Sequence, residues 1–124
     1  MKIRPYLFFN GNCRDAIAFY ENVFGSKAYV MFNDENPNLV DHAQFNVGED
    51  IIMLCDWDEA HEYGQRNMMI TINFDENDKS SVEDIFKLLA EGGKIVHELE
   101  EVSWSKCFGL VVDKFGFRWN MCQL

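Results

Sequence analysis

The sequence lacks the features that mark three common classes of protein. No apolar run approaches the length of a membrane span, and no apolar stretch of signal-peptide length follows Lys2 and Arg4. No glycine-rich phosphate loop is present, because Gly11, Gly92 and Gly93 all stand next to predicted helices. We therefore expect a cytoplasmic protein that has no membrane partner and no nucleotide-binding fingerprint.

Basic residues are scarce, and closely spaced cysteine pairs are absent. The chain has 11 Lys and Arg against 21 Asp and Glu, which gives a formal charge of −10. Because such a surface repels phosphate backbones, we do not expect nucleic acid as a partner. The cysteines form no CxxC pair, so we expect free and mostly buried thiols in a reducing compartment. They are Cys13, Cys55, Cys107 and Cys122.

Apolar and aromatic residues, in contrast, are plentiful. Hydrophobic residues make up 48% and aromatic residues 15% of the 124 positions, and 11 residues are phenylalanine. This composition is typical of one compact globular domain with a substantial core. Because the aromatic content is generous, we expect some of these rings to line a cavity as well as to fill the core.

The stretch from Pro5 to Gly25 sets out a plan of one strand followed by one helix. Apolar residues in its second part have the spacing of a single buried helical face. Asn12 is the expected N-cap of this helix and Gly25 its expected C-terminal stop. Three further strands complete the first half. The predicted elements are a strand at 2–10, a helix at 15–24, and strands at 27–32, 42–47 and 51–55.

The second half repeats this order after a charged loop at 56–66. Its helix is predicted to start with a capping box at Ser80 and Glu83 and to end at Gly92 and Gly93. A loop is predicted at 100–105. The other predicted elements are a strand containing Ile70, Ile72 and Phe74, a strand at 94–98, and a hairpin of strands at 106–112 and 117–123.

Matching apolar positions in the two halves lie 66 residues apart, which favours an internal duplication over a chance likeness of two ordinary βαβ runs. The matching pairs are Phe19 with Ile85, Val23 with Leu89, and Val30 with Val96. We predict an α+β fold in a single domain, 1–124, of two βαβββ modules at about 1–56 and 67–124 with a linker at 57–66. Their curled mixed sheets would enclose one cleft, with the helices outside.

Several segments together resemble a known family over nearly the whole chain. They include Phe9-Asn10-Gly11-Asn12-Cys13, Asp41-His42-Ala43 and Asp113-Lys114-Phe115-Gly116-Phe117 with Trp119. The chain resembles the PhnB-like proteins of the vicinal oxygen chelate superfamily, which includes glyoxalase I, bleomycin-resistance proteins and extradiol dioxygenases. This resemblance implies paired βαβββ modules and a homodimer.

The resemblance also implies where a metal would bind. In metal-using members of the superfamily, the ligands lie on the first and last strands of each module. The corresponding positions here are Tyr6, Leu54, the segment from Asn67 to Met69, and Asn120. Divalent ions need converging lone-pair donors such as histidine and carboxylate, so this is a poor ligand set. We predict no catalytic divalent site of the glyoxalase pattern, with His42 as the first replacement ligand if a metal is found.

His42 is the candidate catalytic residue. A neutral histidine serves as a general base near pH 7, and His42 opens an alternating strand beside Asp41. Adjacent strand residues point to opposite faces, so Asp41 does not orient His42. A purely structural histidine fits the pattern equally well. His61, in a polar loop, and His97, among glutamates, are weaker candidates.

Ligand-binding candidates come from the predicted cleft and its rim. Trp57 and Trp104 lie in the longer loops, and Asn120 lies on the mixed face of the last strand, opposite the bulky face of Phe117, Trp119 and Met121. For each candidate, core packing or a structural hydrogen bond is the alternative. The full set is Tyr6, Leu54, Trp57, Met69, Trp104, Cys107, Phe108 and Asn120.

Three classes of function fit these observations. We favour binding of a small apolar or aromatic molecule in the cleft without a catalytic metal. The alternative is a lyase, isomerase or dioxygenase-type enzyme that uses a divalent metal or His42 as the base. A third class, a structural dimer module, predicts a cleft filled by side chains.

Overall fold

A computed structural model describes residues 1–57 and 68–123. The chain divides into two compact units, residues 1–64 and 65–124. Within the described residues, each unit has the order strand, helix, strand, strand, strand, which confirms the α+β prediction and the βαβββ modules. The predicted linker at 57–66, apart from Trp57, lies outside the described residues together with His61, and it stays a prediction.

The first unit is one mixed sheet with a helix on one face. Strand β1 runs parallel to β4, and the other neighbours are antiparallel, in the order β1-β4-β3-β2. Helix α1 packs on β3 and β4. The elements are β1 (Tyr6–Phe9), α1 (Cys13–Phe24), β2 (Tyr29–Phe32), β3 (Val40–Val47) and β4 (Asp50–Asp56).

The ends of α1 test the two predicted caps. Gly25 takes the left-handed conformation, with φ of 63°, and its N–H donates to the Glu21 carbonyl, so the predicted stop is confirmed. Asn12 is at the N-cap position, but its side chain makes no capping hydrogen bond. The predicted N-cap position is therefore confirmed, but the Asn12 side chain does not supply the capping acceptor. The acceptor comes from β4, where Asp56 Oδ1 receives the N–H groups of Gly11 and Cys13.

The second unit repeats the first. Its sheet has the order β5-β8-β7-β6, with β5 parallel to β8 and the other neighbours antiparallel, and α2 packs on one face. The elements are β5 (Ile70–Phe74), α2 (Lys79–Ala90), β6 (Lys94–Val102), β7 (Ser105–Val112) and β8 (Arg118–Gln123).

Two boundaries in this unit differ from the predictions. Helix α2 begins at Lys79 with Asp78 as the N-cap residue, so Ser80 lies inside the first turn and the predicted capping box is wrong. The Asp78 carboxylate accepts the Asp75 N–H instead, which fixes the preceding turn. The predicted loop at 100–105 is also wrong. Register shifts let β6 continue along β7 as far as Val102, which pairs with Ser105.

Each sheet has one face under its helix and one opposite face. On β8, Trp119, Met121 and Gln123 are buried, while Arg118, Asn120 and Cys122 are half-buried on the other side. The predicted bulky face of this strand is therefore confirmed. The cysteines are free, and three of the four are buried, as predicted. No helix in the described ranges is long and apolar enough to cross a membrane.

Candidate functional site

The face of the first sheet that lies opposite α1 combines aromatic and polar side chains. Strand register determines its members, because residues paired across neighbouring strands share a face. We call it the first open face: Tyr6, Phe8, Tyr29, Met31, His42, Gln44, Met53 and Cys55, with Trp57 packed on Phe8.

A chain of hydrogen-bonded polar groups crosses this face. The Tyr6 hydroxyl lies 2.8 Å from His42 Nδ1, and His42 Nε2 lies 3.2 Å from Gln44 Oε1. The Cys55 thiol lies next to the Tyr6 hydroxyl and influences its pKa. These four side chains come from β1, β3 and β4, so only the assembled sheet brings them together.

The proton positions in this chain follow from its chemistry. Burial, with smaller contributions from the neighbouring thiols, raises the pKa of Tyr6 to about 12, and burial also raises the pKa of Cys55. Tyr6 therefore stays protonated at neutral pH and donates to His42 Nδ1. A neutral imidazole then carries its proton on Nε2, which donates to Gln44 Oε1. Both ring nitrogens of His42 are thus engaged, and proton abstraction by His42 requires one of these bonds to open.

Three aromatic rings adjoin the polar chain. Phe8 and Trp57 are stacked, with centroids 5.2 Å apart and planes at 15°. Tyr6 meets Phe8 edge to face at 5.3 Å. The exposed fractions are 39% for Tyr6, 41% for Phe8 and 48% for Trp57. Binding sites for flat apolar molecules typically combine exposed stacked rings with a few fixed hydrogen-bonding groups, as this face does.

Stability at high pH tests the Tyr6 environment. Burial raises the pKa of Tyr6 to about 12 in the folded chain, against about 10 for an ordinary tyrosine. Its contribution to stability is therefore fully present below pH 10 and is lost as pH rises through 12. In urea unfolding at pH 8 and pH 11, Tyr6→Phe should lose less stability between the two pH values than the wild type. Equal losses would contradict the raised pKa of Tyr6.

The face of the second sheet that lies opposite α2 is defined by strand register in the same way. We call it the second open face: Thr71, Asn73, Phe108, Leu110, Val112, Arg118, Asn120 and Cys122. Phe108 meets His97 and Trp104 edge to face, at 5.0 and 5.8 Å. Met69 lies just before β5 and is 49% exposed. Of the predicted residues, this face or its margin holds Met69, Trp104, Phe108 and Asn120, while Tyr6, His42 and Trp57 belong to the first.

Two predicted site residues lie on the helix-facing sides instead. Leu54 is fully buried and pairs with Leu7, and Cys107 is 6% exposed between Ser105 and Gly109. The expectation that Leu54 lies on the face opposite the helix is therefore wrong, because the neighbouring Met53 and Cys55 take that side. Cys107 fits the core-packing alternative that its sequence context left open.

The misplacement of Leu54 has a simple geometric cause. The two helices lie 66 positions apart, but the last strands of the units lie 67 apart, since Leu54 corresponds to Met121 and Met53 to Asn120. The extra residue is in the hairpin before the last strand, because six residues separate the paired Phe45 and Ile52, while seven separate the corresponding pair Val111 and Trp119. A shift of one residue moves every side chain of a strand to the other face.

Comparison with known proteins assigns the family. A model of the Glyoxalase/Bleomycin resistance protein/Dioxygenase superfamily matches residues 2–121. The chain belongs to this superfamily. Protein YjdN of Escherichia coli is 30% identical over 96% of this chain and 92% of its own length. The crystal structure of protein PA1353 from Pseudomonas aeruginosa superposes with a TM-score of 0.85 at 31% identity, covering 99% of this chain and 97% of PA1353.

A PhnB protein from Bacillus cereus is also similar, with a TM-score of 0.82 and 26% identity over the full length of both chains. These likenesses confirm the PhnB-like resemblance that the sequence motifs carry.

The superfamily includes metal-using members, so we compared the side chains at the metal-ligand positions with the ligands that a divalent cation needs. With the corrected register, the ligand positions of the first unit are Tyr6 and Met53, and those of the second are Thr71 and Asn120. A neutral phenol, a thioether, a hydroxyl and an amide fit a divalent cation poorly. No cluster of three or more His, Cys, Asp or Glu side chains suited to a metal occurs in the described part of the chain. The predicted lack of a glyoxalase-type metal site stays a prediction.

Sequence reasoning missed six members of the first open face, and three of these adjoin Tyr6 or His42: Phe8, Gln44 and Cys55. Gln44 could have been found, because it lies two residues from His42 on the same strand and so shares its face. Phe8 likewise alternates with Tyr6. Cys55 had no such signal, since its contact with Tyr6 depends on the parallel pairing of β1 and β4.

Proposed function

We propose that this protein binds a small apolar or aromatic molecule on the first open face without a catalytic metal. The observation that carries the proposal is the exposed Phe8–Trp57 stack beside the hydrogen-bonded row of Tyr6, His42 and Gln44. Exposed large apolar side chains that lie together on a sheet face are typical of a binding surface.

The polar row favours binding over catalysis. Because His42 uses both ring nitrogens within the row, its imidazole is held in one orientation and one tautomer. Such a row presents fixed hydrogen-bonding groups at low entropic cost when a ligand binds. The role of His42 as a general base, with or without a divalent metal, remains the alternative, in which case the protein would be a lyase, isomerase or dioxygenase-type enzyme.

Removing Trp57 should weaken ligand binding roughly tenfold or more, because the ligand loses one aromatic wall. A panel of small aromatic compounds is first screened by thermal shift, where a compound at a hundredfold excess over Kd stabilises the fold by about 2.7 kcal/mol. Calorimetric titration of the best compound then compares the wild type with Trp57→Ala. Elemental analysis of the same preparation, purified without chelators, measures any bound metal.

Phe32→Ala is the matched control, because Phe32 is a similarly exposed ring, 44%, on β2. It should leave the affinity unchanged. Equal weakening by both variants would contradict the assignment of the first open face. If His42→Ala retains affinity while turnover of the compound disappears, the enzyme alternative replaces the binding proposal. A stoichiometric divalent metal would have the same consequence.

We also propose that the partner of this chain is a second copy of itself in the cytoplasm. Strand β2 is an edge of the first sheet, and Tyr29 and Met31 on it are 63% and 50% exposed. An exposed apolar edge strand is prone to pair with another chain, which supports a dimer. Native mass spectrometry of the freshly purified protein measures the oligomeric state and should give the mass of two chains. The predicted cleft, with Met69, Trp104, Phe108 and Asn120 as further contacts, stays a prediction.

A further inference from the structure

The turn between β1 and α1 contains the one Asn-Gly pair of the chain, Asn10 followed by Gly11. Both residues are exposed, and Gly11 has a φ of 89°, in the left-handed region that favours glycine. Asparagine is one of the less durable side chains, because its amide carbon can be attacked by the backbone nitrogen of the next residue. A glycine in that next position offers the attack no side-chain hindrance.

The attacking nitrogen is held by a carboxylate from β4. The Gly11 N–H donates to Asp56 Oδ1 at 2.8 Å, and the same oxygen accepts the Cys13 N–H at 3.1 Å. The other oxygen, Oδ2, accepts the Val40 N–H at 2.9 Å, so the carboxylate is fixed from both sides. Hydrogen bonds to a charged acceptor are the stronger kind, and this one fixes the peptide plane between Asn10 and Gly11.

The chemistry of ring closure opposes this hydrogen bond. The Gly11 nitrogen bonds to Asn10 Cγ and loses its proton, and the side-chain nitrogen of Asn10 leaves as ammonia. The resulting succinimide has no N–H at Gly11, so it cannot donate to Asp56. Negative charge that develops on the nitrogen as its proton leaves is also disfavoured beside a carboxylate. Attack therefore requires that the hydrogen bond from Gly11 to Asp56 first opens.

We propose that Asn10 is a deamidation site whose reaction rate is set by the opening of the hydrogen bond between Gly11 and Asp56. Local opening and reclosing are much faster than ring closure, so the rate follows the equilibrium population of the open form. Water then opens the succinimide at either carbonyl, which leaves aspartate or isoaspartate at position 10. The amount of modified protein therefore measures how much time the start of α1 has spent open.

Isoaspartate at position 10 would alter the attachment of α1 to the sheet. The main chain then runs through the former side chain and gains one carbon atom between Phe9 and Gly11. Phe9 is fixed by the pairing of β1 with β4, where it lies opposite Asp56. With the longer connection, we expect the Gly11 and Cys13 N–H groups to lose their fit to Asp56 Oδ1. The Val40 N–H, on the other oxygen, keeps its acceptor.

Incubation of the purified protein at pH 8, followed by peptide mass spectrometry at several times, measures the rate at Asn10. Chromatography separates the aspartate and isoaspartate forms of the peptide. Asp56→Ala should raise the rate about tenfold or more, the factor expected for loss of a charge-assisted hydrogen bond. The wild type unfolded in urea should react at least as fast as this variant. Asn10→Gln should nearly abolish the modification, since the longer side chain would have to close a six-membered ring.

Two variants control for a general loss of stability. Asp113→Ala removes a buried carboxylate from the second unit, and Asp15→Ala removes an exposed acid from the first turn of α1. Both should leave the rate at Asn10 within about twofold of the wild type. If Asp56→Ala fails to fold, the wild type alone still decides, since its folded form should react about tenfold or more slowly than its unfolded form.

Three outcomes would overturn the proposal. They are equal rates in the folded and unfolded wild type, a rate in Asp113→Ala as high as that in Asp56→Ala, and an unchanged or slower reaction in Asp56→Ala. A slower reaction would make the carboxylate a general base for the attack. Hydrogen exchange on the isolated isoaspartate form tests the structural consequence, because exchange should be faster at Gly11 and Cys13 and unchanged at Val40. None of these measurements uses a ligand, so their outcome is independent of the binding proposal.

Discussion

Replacing Asp113 by alanine should lower the free energy of unfolding by about 3–5 kcal/mol. Asp113 is 2% exposed in the turn between β7 and β8. Its Oδ1 accepts the N–H groups of Phe115 and Phe117, at 2.9 and 3.1 Å, and its Oδ2 accepts Trp119 Nε1–H at 2.8 Å. The alanine variant leaves three donors without their acceptor, and Trp119 is completely buried, so water cannot replace the carboxylate there.

The matched control is Asp50→Ala, at the exposed aspartate that begins β4 after the hairpin turn of the first unit. It should change stability by less than about 0.5 kcal/mol. Asp113→Asn should give an intermediate loss, because an amide keeps one acceptor oxygen. Urea unfolding followed by tryptophan fluorescence measures all three variants. If Asp113→Ala and Asp50→Ala unfold at the same urea concentration, the carboxylate does not hold the turn.

Asp56→Ala should cost about 2–4 kcal/mol of stability, because one carboxylate serves two parts of the first unit. Its Oδ1 accepts the N–H groups of Gly11 and Cys13 at the start of α1, at 2.8 and 3.1 Å. Its Oδ2 accepts the Val40 N–H at the start of β3, at 2.9 Å. The negative charge also lies at the positive end of the α1 dipole.

Asp15→Ala controls for the dipole alone, since Asp15 is an exposed acid in the first turn of α1. Its loss should be no more than about 0.5–1 kcal/mol. Amide hydrogen exchange adds a local readout, because Asp56→Ala should speed exchange at Gly11, Cys13 and Val40. Unchanged exchange at these three amides would show that the hydrogen bonds contribute little.

Predictions that depended on short-range spacing were accurate. The helix of the first half was predicted at 15–24 and spans Cys13–Phe24, and the Gly25 stop is confirmed. The last strand was predicted at 117–123 with Trp119 and Met121 on its bulky face, and β8 spans Arg118–Gln123 with both residues buried. Helical periodicity and strand alternation depend on residues that are only a few positions apart, so both patterns can be recognised directly in the sequence.

Predictions that compared distant segments by a fixed offset were less accurate. The 66-residue repeat identified the duplicated βαβββ plan, but it paired Asn120 with Leu54 instead of Met53. Turns of different length before the last strands changed the offset by one, and a change of one residue reverses the face. The N-cap position of α1 was predicted correctly, but the acceptor was not foreseen, because Asp56 comes from a strand more than 40 residues away in sequence.

The sequence by itself determined the elements, their order, the family and most of the buried faces. Each of these depends on a local residue pattern or on a short motif of consecutive residues. Only the tertiary structure decided which side chains meet. Parallel pairing of β1 with β4 brings Tyr6 to Cys55 and, through β3, to His42, and it aligns Phe8 with Trp57. Such contacts depend on hydrogen-bond register between strands that lie far apart in the chain, and no local pattern in the sequence records that register.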